Sequence, residues 1–167
     1  MIEVKNKLYT QRFLAKNLSL SDFFKAVTYT IYEGDKAKIP FWYKKTEGHS
    51  ASTDLKLSLD DIMMQMKSNT RNEIKRAIKE GCTFEYNYNY EDFVSFYKDF
   101  SLNKGLNDNM DIHTLAKYDK MIITIAKKDG KPLAMHATVI NKKDKVAMLF
   151  YSCSQRFSED TDRKLIG

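Results

Sequence analysis

The chain has 167 residues, of which 43% are hydrophobic and 30% charged, and its mean hydropathy is −0.54. This composition suits one soluble domain with a substantial core, and no segment approaches the roughly 18 apolar residues that a membrane span needs. The formal net charge of +6 favours an anionic partner such as a phosphate, a nucleotide or tRNA.

The first residues of the chain argue against a secreted protein, and the spacing of Cys and His argues against a zinc- or disulfide-stabilised protein. The segment MIEVKNKLYT lacks the basic and then apolar pattern of a secretory signal, so we expect a cytoplasmic protein. Cys82 and Cys153 stand alone, far from His49, His113 and His136. This spacing fits no zinc motif, and two cysteines cannot build a disulfide framework. We therefore predict reduced, structural cysteines and no metal site.

The first fifty residues predict a segment rich in strands. The predicted elements are a strand at 8–15, a capped helical turn at 19–26, and strands at 27–33 and 38–45. The letters GDKAK between the last two strands supply turn residues, which predicts a hairpin over 27–45. Pro40 would place its strand at an edge or near a bulge.

The next segment predicts a short alternating strand at 53–58 followed by a long amphipathic helix. Ser58 precedes Asp61 by three residues, a spacing that resembles a capping box. Apolar residues at positions 59, 62, 63, 66, 74, 77 and 78 follow helical spacing. Gly81 marks the end of this helix, which we predict over 59–80.

A strictly alternating strand is predicted at 82–90. Its aromatic face carries Phe84, Tyr86, Tyr88 and Tyr90. We interpret this face as one side of the sheet packed against helices, and the alternative is a surface that stacks on nucleic-acid bases.

The remaining chain predicts two helices and a meander of three strands. The predicted helices span 91–105 and 111–118, and the predicted strands span 120–128, 131–141 and 145–154. The turns Asp129–Gly130 and 142–144 are short enough for antiparallel pairing. Residues 155–167 predict a polar loop leading into a helix that does not follow, so we expect a piece of a longer protein.

Two strings resemble the Fem-type (FemAB-like) peptidoglycan-bridge aminoacyltransferases and their single-domain relatives. DLKLSLDDIMMQMKSNTRNEIKRAIKEGCTFEY resembles their passage from a strand into a helix, and GKPLAMHATVINKKDKVAMLFYSCSQRFSE is similar to their central hairpin. The resemblance covers roughly residues 50–167. The matching positions of the first string are Asp54, Leu55, Leu57, Lys67, Thr70, Arg71, Ile74, Arg76, Ala77 and Gly81.

The resemblance implies the GNAT (acyl-CoA N-acyltransferase) fold, a mixed α/β (α+β) class with a central, mostly antiparallel sheet flanked by helices. One such domain, incomplete, would span 1–167, with a strand-rich part at 1–50. Its members transfer an acyl or aminoacyl group from aminoacyl-tRNA or acyl-CoA to an amine. The acceptor implied here is a bacterial cell-wall precursor or a sugar nucleotide.

The same resemblance implies a phosphate-binding loop after the fourth strand, at 154–167. Gln155, Arg156 and Arg163 are its candidate phosphate ligands. The usual acetyl-CoA signature of Gln or Arg followed by two spaced glycines is absent, so the donor stays open between aminoacyl-tRNA and acyl-CoA.

A basic row along the long helix is the other candidate phosphate site. Lys67, Arg71 and Lys75 are four residues apart, and Arg76 widens the patch. These side chains would bind the tRNA backbone or a nucleotide-linked acceptor. The alternative is a solvated helix face whose charge nearby glutamates partly offset.

His136 and Tyr151 are the candidate catalytic residues. His136 lies within a predicted strand and would serve as the general base for amine acylation, whereas the alternative is a packed core histidine. Tyr151 and Ser152 are candidate donors to a thioester or ester carbonyl. The competing class of function is a non-catalytic, basic RNA-binding or adaptor module.

Overall fold

The computed structural model describes residues 1–15, 18–22, 25–31, 39–46, 50–87, 89–106, 110–118 and 120–155. The strands are β1 (Ile2–Lys5), β2 (Thr10–Ala15), β3 (Val27–Ile31), β4 (Thr83–Asn87), β5 (Met121–Lys128), β6 (Lys131–Asn141) and β7 (Val146–Ser154). The helices are α1 (Leu59–Gln65), α2 (Ser68–Lys79), α3 (Tyr90–Lys104) and α4 (Ile112–Ala116). These elements confirm the mixed α+β class.

The N-terminal strands form a sheet of their own in the order β1-β2-β3. β1 and β2 are antiparallel, whereas β2 and β3 run parallel. The hairpin predicted over 27–45 is wrong, because β3 pairs with β2 and the described residues 39–46 contain no strand. Pro40 lacks the N–H group that a ladder needs, and it opens a tight turn instead.

The strand predicted at 53–58 is also wrong. This segment is a turn in which the backbone N–H of Lys56 donates to the Asp54 carboxylate at 3.0 Å. Asp side chains commonly accept hydrogen bonds from the backbone two residues later, which favours a turn over a strand. The alternating residues 53–58 therefore form no strand pairing. The turn leads directly into α1.

The long predicted helix is two helices separated by Met66 and Lys67, both of which have extended ψ angles. Its predicted beginning is confirmed, because the Ser58 side chain accepts a hydrogen bond from the Asp61 N–H at 3.1 Å. Its predicted end is confirmed as well, because Gly81 has a φ of +80° just after α2.

The four-stranded sheet has the order β4-β5-β6-β7 with every pair antiparallel, which confirms the predicted meander. Asp129 and Gly130 both have positive φ, as the tight β5–β6 turn requires. β4 is shorter than predicted, because Asn89 caps α3 by accepting from the N–H groups of Glu91 and Asp92. The chain is therefore helical from Tyr90 onward.

One face of the four-stranded sheet forms the core. Its buried residues pack with α3, with Leu115 of α4 and with β1. The buried cluster consists of Ile2, Val4, Phe93, Val94, Tyr97, Met110, Leu115, Met121, Ile123, Ile125, Met135, Ala137, Val139 and Cys153. Side chains alternate along a strand, so the residues between these positions point to the opposite face.

That opposite face has no buried side chain among the described residues, and α1 and α2 contain no buried residue either. No helix in the described part of the chain combines the length and the apolar character needed to cross a bilayer. Among the residues that the structure describes, one face of the larger sheet is thus covered and the other is accessible.

Candidate active site

A row of four polar side chains crosses the accessible face of the sheet. Tyr86 of β4 is paired with Thr124 of β5, Thr124 with His136 of β6, and His136 with Ser152 of β7. Directly paired residues of antiparallel strands point to the same face, so the four side chains line up across the sheet. Three hydroxyl groups and one imidazole thereby share one strip of surface.

His136 is the group in this row with acid–base chemistry near neutral pH. Its side chain is half-buried, and its Nδ1 atom is buried without a hydrogen-bond partner. Burial lowers the pKa of His136 below its ordinary value, because an apolar setting disfavours the charged imidazolium. The imidazole is therefore neutral at pH 7 and able to accept a proton.

Tyr151, the other candidate catalytic residue, lies on the opposite face. It pairs with Ala137, which belongs to the buried cluster, and its ring meets Tyr97 of α3 at 6.0 Å. A hydrogen bond links its hydroxyl to Tyr118. The structure therefore does not bring Tyr151 to His136, and the two cannot act on the same substrate atom.

The interpretation of the aromatic face of the 82–90 segment as packed is wrong. Phe84 is 63% exposed and Tyr86 is 70% exposed, because the helices cover the other face of the sheet. Tyr90 lies in α3, where its hydroxyl donates to the Met121 carbonyl at 3.2 Å. Tyr88 lies outside the described residues. Phe84 and Tyr86 therefore form an aromatic margin beside the polar row.

The basic residues of α2 do not form one uniform row. The Arg71 guanidinium turns back onto the end of α1 and donates to the carbonyls of Met64, at 3.2 Å, and Met66. Lys67 and Lys75 are exposed. Arg76 pairs with Glu80 of the same helix at 3.9 Å. Arg71 thus joins the two helices, and Lys67 and Lys75 are the exposed cations nearest to it in sequence.

Gln155 lies at the end of β7 beside a shallow cavity of about 260 Å³. Polar groups of Asp99, Asn103 and Ser154 line this cavity together with aromatic rings of α3. Its other lining residues belong to α3, which covers the core face of the sheet, so this cavity is not part of the accessible face that carries the polar row. The candidate ligands Arg156 and Arg163 lie outside the described residues.

Cys153 is next to the polar row in sequence but is unsuited to nucleophilic catalysis. It is 2% exposed in the core, and burial raises the pKa of its thiol to about 12. Within the described residues, His, Cys, Asp and Glu side chains form no group of three that could hold a metal ion.

Sequence reasoning did not select Thr124 or Tyr86 as site residues. Thr124 lies beside His136, and Tyr86 beside Thr124, only through the pairing of β4, β5 and β6. No local motif marks that register, although the alternation of each strand could have been aligned once the meander was predicted. No protein-family model matches the chain, and no curated protein matches it either.

Proposed function

We propose that the protein is an N-acyltransferase of the GNAT fold, related to the Fem-type enzymes, with His136 as general base. The observation that carries this proposal is the neutral imidazole of His136, whose Nδ1 has no partner, in a row of hydroxyl groups on an accessible sheet face. A buried polar atom without a partner is costly, so its presence in the middle of a sheet favours a catalytic role.

The reaction needs an uncharged amine, and the imidazole supplies a place for its proton. The acceptor reacts as the neutral amine: its nitrogen forms a bond to the acyl carbon, and His136 accepts the proton that this nitrogen releases from the tetrahedral adduct. The C–O bond of an aminoacyl ester or the C–S bond of a thioester then breaks. The leaving hydroxyl or thiol takes up the proton.

The neighbouring side chains position the reactants. The hydroxyls of Thr124 and Ser152 flank His136 on the adjacent strands and are placed to donate to the acyl oxygen as negative charge develops there. Phe84 and Tyr86 offer an apolar margin for the acyl or acceptor group. Lys67 and Lys75 are the candidate contacts to the donor's phosphates, and Gln155 is a further candidate at the cavity between β7 and α3.

The test replaces His136 by Gln and measures amine acylation with aminoacyl-tRNA and with acyl-CoA as donors. We expect kcat/KM to fall on the order of 10²-fold or more, since a positioned base typically contributes that much. The wild-type profile of kcat/KM against pH should rise with an apparent pKa below the ordinary value of a histidine, because burial lowers the pKa of His136.

The matched control is the same substitution at His113, which is exposed on α4. His113→Gln should leave both kcat/KM and the pH profile unchanged. Equal activity of His136→Gln and His113→Gln, or a wild-type profile without an acid limb, would remove His136 from the mechanism.

One observation favours the competing function, a basic RNA-binding module. The exposed rings of Phe84 and Tyr86 follow the basic helix α2 in the chain, and exposed aromatics beside cations are suited to stacking on unpaired bases. This alternative predicts salt-sensitive binding of tRNA that is indifferent to the aminoacyl group, with no acylation of any amine. The acyltransferase proposal instead predicts that the protein distinguishes aminoacylated from free tRNA or turns over acyl-CoA.

A further inference from the structure

The turn at residues 40–43 presents two large aromatic side chains to solvent. The Tyr43 N–H donates to the Pro40 carbonyl at 3.0 Å, which leaves Phe41 and Trp42 at the two central positions. Phe41 is 95% exposed and Trp42 is 56% exposed. Central turn positions usually carry small or polar residues, so an exposed aromatic pair there indicates a contact outside the chain.

The base of this turn is fixed to the N-terminal sheet. The Tyr43 ring contacts the Tyr29 ring of β3 edge-on, with centroids 6.4 Å apart. The Tyr29 hydroxyl donates in turn to the carboxylate of Asp22, which is 1% exposed. The base of the aromatic tip is therefore in contact with β3 through one pair of rings.

The residues that follow the tip carry a net positive charge, because Lys44 and Lys45 outnumber Glu47. Lys44 and Lys45 follow the aromatic pair directly, and both are exposed. Residues 39–46 contain no Asp or Glu, and the chain carries a net charge of +6. The complementary partner is therefore a surface that combines apolar depth with negative charge.

We propose that residues 39–46, the aromatic turn, bind the surface of an anionic phospholipid bilayer. Phe41 and Trp42 enter the headgroup region, where amphipathic rings are favoured, and Lys44 and Lys45 face the lipid phosphates. A convex tip suits a deformable bilayer, and lysine is depleted in the cores of protein–protein interfaces. This inference is independent of the acyl-transfer proposal.

Trp42 allows a direct test, because it is the single tryptophan in the chain. Vesicles of phosphatidylcholine and phosphatidylglycerol in equal parts should shift its fluorescence emission to shorter wavelength and should sediment the protein. Vesicles of phosphatidylcholine alone should bind several-fold more weakly, and added salt should weaken binding to the anionic vesicles.

Two pairs of variants separate the aromatic turn from general surface effects. Phe41→Ser with Trp42→Ser should weaken sedimentation with anionic vesicles about tenfold or more, whereas Phe84→Ser, an equally drastic change at another exposed ring, should not. Lys44→Glu should weaken it by about fivefold for each unit of charge removed. Lys142→Glu makes the same charge change at an exposed site in the β6–β7 turn and should have a much smaller effect.

Three outcomes would overturn the proposal. The first is that wild-type protein does not bind anionic vesicles; the second is that Phe84→Ser weakens binding as much as the double variant does. The third is self-association of the protein that the double variant abolishes, which would identify the turn as a contact between copies. Thermal unfolding of each variant verifies that its fold is retained, and acylation of a water-soluble amine reports on the separate acyl-transfer proposal.

Discussion

Asp22 is almost completely buried, and its carboxylate contacts two polar groups. The Arg12 guanidinium pairs with its carboxylate, and the Tyr29 hydroxyl donates to the same oxygen. Arg12 also bonds Glu3 on β1 at 2.8 Å. This cluster links β1, β2, β3 and the short 3₁₀ turn at Leu20–Asp22. It therefore acts as the polar centre of the N-terminal sheet.

Replacing Asp22 by Asn should destabilise the protein by about 3 kcal/mol, because removal of one partner leaves a partly buried Arg12 with less compensation. The control is Glu3→Gln, which removes the other carboxylate bonded to Arg12 but from a more exposed position. Its cost should be below about 1 kcal/mol. Urea unfolding measures both changes, and equal losses would contradict the central role of Asp22.

The accessible face of the sheet shows how far residue-level prediction reached. His136 was selected from its residue type and its place in a predicted strand, and it lies on that face. Tyr151 was selected in the same way but lies on the core face of the sheet, because a bulge at Phe150 shifts the register of β7 against β6. A bulge depends on the partner strand, so the sequence of β7 could not reveal it.

At the scale of elements, the break between α1 and α2 determines what Arg71 does. The chain is extended at Met66 and Lys67, which leaves carbonyls at the end of α1 without helical partners. Arg71 satisfies two of them from the first turn of α2. The sequence pattern predicted one continuous helix, in which Arg71 would have been available to bind phosphate.

Arg71→Gln should lower the free energy of unfolding by about 1–2 kcal/mol, since hydrogen bonds from a charged donor are lost at the helix break. Lys75→Gln, an exposed change one turn later, should alter it by less than about 0.5 kcal/mol. Thermal and urea unfolding give both values. Identical stability of the two variants would instead indicate that Arg71 is a solvated surface residue.

For the whole molecule, two tyrosine hydroxyls and one cysteine thiol, all buried or partly buried, make the free energy of unfolding depend on pH in alkaline solution. Burial raises the pKa of the Tyr29 and Tyr118 hydroxyls above their ordinary value and raises that of the Cys153 thiol to about 12. Above about pH 9 the unfolded chain releases these protons while the folded chain retains them. Stability should therefore be complete below pH 9 and should fall as pH rises toward 12.

This decline should have a slope of about 1.4 kcal/mol per pH unit for each proton that only the folded chain retains. Cys153→Ala should make the decline shallower, because it removes one such proton. Cys82→Ser changes the other, half-exposed thiol and serves as the control. Urea unfolding between pH 8 and pH 11 gives the slopes, and equal slopes for wild type and Cys153→Ala would contradict the assignment.

The sequence by itself determined the local features of this protein. The cap at Ser58, the left-handed Gly81 and Gly105, and the tight turn at Asp129–Gly130 all depend on groups within a few residues of one another. The alternation of apolar and polar residues along the three meander strands likewise depends only on residues that are neighbours in the sequence. These signals predicted the meander strands and the capped helix ends correctly, but they also predicted strands over 38–45 and 53–58, where the described residues contain none.

Only the tertiary structure decided which surfaces are covered and which side chains meet. The exposure of Phe84, the separation of Tyr151 from His136 and the aromatic tip at Phe41 all depend on partners distant in the chain. Period-two alternation divides a strand into two faces but does not say which face receives the helices. That choice follows from burying the larger apolar area of β5 and β6 against α3, and it leaves the side chains of the opposite face partly or fully exposed.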